Sequence, residues 1–355
     1  MIKYFKGLDT LRAIAALVVV FGHIELLKNG KSIPNLVEND FILFPSGHIA
    51  VILFFVLSGF LITYLLVKEK EKTGRISFRK FYMRRILRIW PLYYTIILLS
   101  YWLINSEYGF KTILLCLSIF PNIAHALGSG WPSSPQIWSI GVEEQFYLFW
   151  PLVLFVLPER KVITGLLIFF VGYSIFPHLF GFINVRTFQN EEVGLVLNKI
   201  FYGTKFNCMA IGALMGFAMA KKKNWIKILS KDIVAIFSII LSFSLWFFRF
   251  EMKHFTDELF SIIFAVMIVG VVSSKKINID TRITRFLGKI SYGIYMYHWI
   301  IILIVLKYLK YDGNNLIFNL ELYIIVIGLT ILLSWISYIT LERFFLNVKK
   351  RYETK

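Results

Sequence analysis

The chain has 355 residues, 57% hydrophobic and 17% aromatic, with a formal net charge of +18 and a mean hydropathy of +0.68. So apolar a composition excludes an ordinary soluble domain. The cations sit in short loops between apolar runs, which excludes a nucleic-acid-binding face and points to loops beside a membrane. With only Cys116 and Cys208 present, neither a disulfide framework nor a CxxC metal site is expected, and no metal is called for.

The first apolar run, residues 8–27 (LDTLRAIAALVVVFGHIELL), is long enough to cross a bilayer. It is too long, and lacks the small-residue cleavage site, to be a removable signal peptide. It carries Asp9, Arg12 and His23. Arg12 and His23 stand eleven positions apart, which on a helix returns to nearly one azimuth about 16 Å away. Ionisable groups in a membrane helix are costly and normally face a polar cavity, so both are candidate functional residues. Asp9 and Arg12, at i,i+3, also fit a simple neutralising pair.

Further runs lie near 47–67, 89–105, 138–157, 161–180, 203–220, 231–249, 257–274, 290–309 and 320–341. The short run 110–120 is ambiguous, and charge decides it. The basic stretches Lys3/Lys6, 68–88, Arg160/Lys161, 221–231, 275–289 and 349–355 fall on one side only if 110–120 does not cross. The expectation is an all-α, polytopic membrane helix bundle of about ten transmembrane helices with both termini cytoplasmic. Residues 110–127 should be re-entrant or interfacial. No repeat or composition break divides the chain, so 1–355 reads as one domain.

This topology sets depth. His23, near the outer end of the first helix, and Glu143 and Glu144, in WSIGVEEQFYLFWP, should share a level. Ser58 lies between His23 and the inner end, and His298 lies near the middle of the ninth span. In the basic loop 68–90, Arg85 and Arg88 are three apart and project from one helix face, able to grip a common anion. Planar guanidinium forks suit the phosphates of a coenzyme A; the same loop also fits attraction to anionic lipid. Residues 121–137 hold no Lys, Arg, Asp or Glu and read as an outer loop. There Trp131 could stack on a sugar or anchor the interface.

Several of these motifs together resemble the acyltransferase-3 family of integral-membrane acyltransferases. GLDTLRAIAALVVVFGH carries the family's opening stretch and its Arg-x10-His spacing as Arg12 and His23. FFVLSGFLIT matches through Ser58 and Gly59. Arg85 and Arg88 supply the Arg-x-x-Arg element ahead of Pro91 and Tyr93, WSIGVEEQFYL supplies Glu143, and SYGIYMYHW supplies Tyr292, Tyr295 and His298. The likeness runs from about residue 6 to 345. It departs near the end, where Phe344 follows Glu342–Arg343 in place of the proline often found, which bears on the geometry of the last helix. Some members carry a fused hydrolase-like domain; none is expected here, which leaves acceptor recognition to the membrane domain.

The resemblance implies O-acyl transfer, foremost O-acetyl transfer, from cytoplasmic acetyl-CoA to a hydroxyl of a cell-surface or lipid-linked glycan at a bacterial cytoplasmic membrane. Such a reaction needs a base for the acceptor proton, charge for the oxyanion and a grip on the donor. His23 is assigned as base, Glu143 as its orienting carboxylate, and Arg12 as the cation steering or polarising the donor. Arg85 and Arg88 would hold the donor phosphates, with Ser58 lining the acyl channel. Trp131, His298 and Tyr295 are candidate substrate contacts, His298 also fitting an interhelical hydrogen bond and Ser58 a small residue for close packing. The implied partners are acyl-CoA, the glycan acceptor and the bilayer, with no nucleic acid; a homo-oligomer is left open. A transporter or flippase is the alternative, but it would usually show an inverted repeat, and none is visible.

Overall fold

A computed structural model describes residues 5–31, 33–34, 45–104, 107–187, 191–311, 313 and 315–353. Lys3 and Lys355, which belong to the expected basic stretches, lie outside them. The described residues contain no strand. Their helices are α1 Leu8–Asn29, α2 Gly47–Thr73, α3 Phe78–Leu103, α4 Phe110–Leu117, α5 Pro121–Ala126, α6 Trp138–Val156, α7 Val162–Thr187 and α8 Glu191–Gly203. There follow α9 Phe206–Ala220, α10 Ile226–Leu229, α11 Asp232–Phe247, α12 Thr256–Ser273, α13 Arg282–Lys289, α14 Ser291–Tyr308, α15 Asn315–Ser337 and α16 Arg343–Lys349.

Seven helical segments are long and apolar enough to cross a membrane: those of α1, α2, α3, α7, α12, α14 and the α15–α16 rod. The chain is therefore a multi-pass membrane protein. The other three expected spans coincide with α6, α9 and α11, of 19, 15 and 16 residues. At 1.5 Å per residue α9 rises only about 23 Å, short of a hydrocarbon core of roughly 30 Å. Residues 110–120 do not cross. The eight residues of α4 reach only about 12 Å, and hydrogen bonds from Tyr93 and Tyr94 to the carbonyls of Cys116 and Leu117 tie the α4 end to α3.

α2 is the axis of the bundle, packed on α1, α9 and α12. It meets α9 backbone to backbone because glycines line the crossing. A Cβ added at Gly59 would stand 1.9 Å from the Met209 carbonyl oxygen, and one at Gly212 2.1 Å from that of Val56. Gly212 and Gly216 form a GxxxG pair, the small-residue spacing that lets membrane helices approach closely where no hydrophobic force drives them together. The indole of Trp150 on α6 donates to Thr63 Oγ1 at 2.7 Å and so fixes α6 against α2. Far along α1, the buried Lys28 ammonium donates to Glu25 at 2.9 Å and to Asn319 of α15 at 2.7 Å, a charge kept inside the bundle by local neutralisation.

The unusual end of the chain has a structural counterpart. Tyr338–Glu342 form a π-helical turn between α15 and α16, an inserted residue of the kind that redirects a helix. It lies where the sequence keeps Glu342–Arg343 but lacks the following proline.

Gly212→Val should destabilise the protein by on the order of 2 kcal/mol or more, because the branched side chain can enter only by prising α9 from α2. Gly172→Ala, where an added Cβ meets nothing within 4 Å, should leave the melting temperature in detergent unchanged or slightly raised. Equal behaviour of the two variants would remove the close crossing from the account.

Candidate functional site

A cavity of about 720 Å³ runs along α2 and is walled by α1, α3, α6 and α14. Its α2 residues extend from Val51 to Lys72, about 31 Å of helix, so it reaches from one end of the bundle deep into it. The volume is that of a small-molecule or cofactor site.

The mouth is cationic. Lys68, Lys72, Arg84, Arg85 and Lys349 line it, with Arg88 further in. Arg84 is already engaged, donating to Glu69 Oε2 at 2.7 Å and to the Tyr352 carbonyl at 2.9 Å. Arg85 is held differently. Its guanidinium stands 6.0 Å from the ring centroids of both Phe81 and Tyr147, a sandwich that positions a cation while leaving donors available. Its buried Nε has no hydrogen-bond partner among the described residues. A buried unsatisfied donor is costly and marks a place for an external acceptor.

Deeper in, α1, α2 and α6 contribute polar groups. Ser58 Oγ donates to Glu143 Oε1 at 2.7 Å, and the Tyr147 hydroxyl lies 3.4 Å from Oε2, so both carboxylate oxygens face a donor. Tyr147 follows Glu143 by one helical turn, the spacing that brings two side chains together. Arg12 also lines the cavity and lies within electrostatic reach of Glu143, Asp9 and Arg88. Its Nη1 stands 3.8 Å from Asp9 Oδ1, the expected i,i+3 pair. Glu144 turns the other way and accepts from the indole of Trp90 on α3 at 2.8 Å.

The inner end is closed by Tyr292, Tyr295 and Ser139. The Tyr295 hydroxyl donates to the Gln136 carbonyl at 3.0 Å, with Ser139 Oγ 2.6 Å away. Behind Tyr295 sits His298, ring to ring at 5.9 Å, and behind that His23, whose Nδ1 is 2.8 Å from His298 Nε2. The network assigns the protons. His298 Nδ1 lies 3.2 Å from the Ile294 carbonyl oxygen, which can only accept, so Nδ1 carries the hydrogen and Nε2 the lone pair. His23 Nδ1 must then donate to that lone pair, which leaves His23 Nε2 as a free proton acceptor. Trp299 packs edge-on against the His23 ring at 4.9 Å.

The structure thus gathers Arg12, Ser58, Glu143, Arg85, Arg88 and Tyr295 around one cavity, with His298 and His23 in a row behind it. Two expectations are corrected. The carboxylate of Glu143 engages Ser58, not His23; the imidazole of His23 is oriented by His298, because α14 and not α6 carries the side chain that reaches it. Trp131 presents no face to a sugar. It is 2% exposed, its indole donates to Ser100 Oγ at 2.8 Å and its ring packs on Tyr108 at 4.4 Å. Much of the uncharged stretch 121–137 packs inward, with Ser133, Ser134 and Gln136 buried too. Sequence reasoning missed Tyr147 and Lys349. The first was signalled by its i+4 spacing from Glu143; the second sits in a basic tail that only the packing of α16 on α3 brings to the mouth. Among the described residues, no three His, Cys, Asp or Glu side chains come together as metal ligands would.

Trp131→Ala should lower stability by about 3–5 kcal/mol, and Trp131→Phe, which keeps the ring but loses the bond to Ser100, by roughly 1 kcal/mol. Thermal unfolding in detergent separates them; an unchanged Trp131→Ala melting temperature would contradict the internal placement.

Residues 5–339 match the family model described as an acyltransferase domain. The O-acetyltransferase OatA of Staphylococcus aureus strain NCTC 8325 is 27% identical over 368 residues, covering 96% of this chain and 57% of that protein. The O-acetyltransferase OatA of strain COL matches with the same identity and coverage. The chain therefore spans a little over half the length of these relatives. No solved structure matches it.

Proposed function

The chain belongs to the acyltransferase-3 family, and on that premise we propose that it is an O-acetyltransferase moving an acetyl group from cytoplasmic acetyl-CoA to a hydroxyl of a cell-surface or lipid-linked glycan. The observation that carries this reading is the cavity itself: cationic at its mouth, polar along its length and ending beside a histidine pair. The family membership, the acetyltransferase relatives and the apolar spans support it. In this reading the chain crosses a bacterial cytoplasmic membrane about ten times with both termini inside, and the basic mouth faces the cytoplasm.

The donor would enter by its nucleotide end outermost. Arg85 and Arg88 would take phosphate oxygens, Arg85 through the Nε that no protein group satisfies, and the pantetheine arm would follow α2 inward past Tyr64 and Leu61. The thioester would then lie past Ser58, toward Phe54, Phe55 and Tyr295 at the end of the cavity, while Arg12, about 16 Å along α1 from His23, would steer the donor's phosphate-bearing end. The acceptor oxygen attacks the carbonyl carbon, the C–S bond breaks, and the acetyl ester and a thiol result. His23 would take the hydroxyl proton at Nε2 as general base, and the proton passes finally to the leaving thiolate. The bond from His23 Nδ1 to His298 holds the ring in the tautomer that this needs, as the third member of a catalytic triad does. Glu143, through Ser58, would keep Arg12 balanced and the cavity wall fixed.

His23→Ala should leave membrane abundance intact and lower acetyl transfer by 10²-fold or more, the scale of a lost general base. His298→Ala should cost nearly as much, and the double variant no more than His23→Ala alone, since residues acting as a unit are non-additive. Wild-type turnover in His23→Ala would remove the base assignment. Arg85→Ala and Arg88→Ala should raise the KM for acetyl-CoA about tenfold, with lysine rescuing only in part because a fork becomes a point charge. In proteoliposomes with labelled acetyl-CoA, glycan movement without thioester cleavage would favour a flippase instead.

A further inference from the structure

A second cavity, of about 790 Å³, opens at the other end of the bundle. It is framed by the start of α2, by α5, by the start of α6, by the middle of α7, by the turn between α8 and α9, and by the start of α12. It shares no lining residue with the first cavity, yet the two nearly meet. Trp138 lines the second and its neighbour Ser139 the first. On α2, His48 lines the second and Val51 the first, an axial step of roughly 4.5 Å. The partition is aromatic: the Phe55 ring, in the first cavity, meets the Trp138 ring edge-on at 6.3 Å.

The walls of this second cavity combine flat rings with hydrogen-bonding groups of both signs. His125 stacks over Trp138 at 6.1 Å and 19°. Burial, and then the nearby Lys199, lower the His125 pKa, which favours the neutral ring. Opposite it, Asp257 accepts from His48 at 2.9 Å and from Lys205 at 2.6 Å. Asn207 donates through Nδ2 to Glu258 at 2.7 Å and to Ser174 at 3.1 Å. Its other atom is the informative one. Asn207 is 2% exposed, lines the cavity, and its Oδ1 has no hydrogen-bond partner among the described residues. An acceptor left buried and unmatched is costly, and a ligand hydroxyl would match it.

We propose that this second cavity is the acceptor site and that its ligand is a polyhydroxylated carbohydrate. The inference rests on the acetyltransferase reading and deepens it. A sugar offers apolar ring faces for Trp138 and hydroxyls that both donate and accept, as the mixed Asp257, Lys205, Glu258 and Asn207 wall requires. A lone anion would find Lys199 and Lys253 but leave the carboxylate and amide wall of Asp257, Glu258 and Asn207 unmatched, and a lipid chain would strand every polar group. The two substrates thus approach from opposite ends of the bundle and react at the Phe55–Trp138 partition. His23 stands on the second-cavity side of this partition: its neighbour Gly22 packs on Gly47, next to His48 and about 12 Å along α2 from Phe55. The acceptor O–H loses its proton to His23 as the new C–O ester bond forms and the thioester C–S bond breaks.

The test uses the full chain in proteoliposomes, where both native cysteines are buried and give little background to a bulky maleimide. Tyr202→Cys reports the second cavity and Lys72→Cys the first. Chitotriose or cellotriose should slow labelling of Tyr202→Cys at least fivefold and leave Lys72→Cys alone; acetyl-CoA should do the reverse. In turnover assays Asn207→Ala should raise the KM for the oligosaccharide about tenfold while the KM for acetyl-CoA stays within twofold. The proposal is overturned if neither oligosaccharide protects Tyr202→Cys, if inorganic phosphate protects it better, or if folded Asn207→Ala keeps the wild-type acceptor KM. Loss of acetyl-CoA protection at Lys72→Cys with sugar protection intact would count against the donor reading and not against this one.

Discussion

A carboxylate inside a hydrocarbon slab must be surrounded by donors, and the position of Glu143 follows from that requirement. An unmatched charge in apolar surroundings would cost several kcal/mol. Ser58 from α2 and Tyr147 from the next turn of α6 face its two oxygens, and Arg12 from α1 supplies opposite charge nearby. Three helices are thereby committed to one point. The cavity exists because these polar groups cannot be buried against apolar side chains. The remaining wall is built from residues that tolerate a polar interior, among them Tyr292, Tyr295 and Ser139.

That convergence relies on α2 being held without slack. The glycine crossing with α9 brings backbone against backbone, and the Trp150–Thr63 hydrogen bond locks α6 to the same helix. Ser58 and Gly59 illustrate the division of labour in adjacent residues. One turns its hydroxyl to the cavity and the other gives up its side chain so that the helix behind can approach. A small residue for packing and a polar residue for the site are both needed, and the helix puts them on different faces.

The histidine row shows how a backbone carbonyl can decide chemistry at a distance. The Ile294 carbonyl fixes the proton on His298, which fixes the proton on His23, which leaves a lone pair at Nε2. No charge is required for this, which suits a site that excludes water. The two cavities lie end to end: a cationic entrance, a mixed polar and aromatic recess at the other end, and an aromatic partition between them.

Much of this was legible in the chain before any coordinates. Apolar run length determined the membrane bundle, charge placement set the expectation that 110–120 does not cross, and the i,i+3 spacing grouped Arg12 with Asp9; the i,i+4 spacing of Glu143 and Tyr147 was there but passed over. Polar groups in apolar helices stand out because burying them is expensive, so Arg12, His23, Ser58, Glu143 and His298 were visible as candidates. Which of them touch was decided only by tertiary structure. Depth counted separately along two helices leaves the offset between them open: Glu143 sits with Ser58 and near Arg12, about 16 Å along the helices from His23, so the expected shared level does not hold. The same limit hid the inward turn of Trp131, the return of Lys349 to the cavity mouth, and a second cavity assembled from six separate segments. Composition and periodicity are properties of one helix; a partner is a property of two.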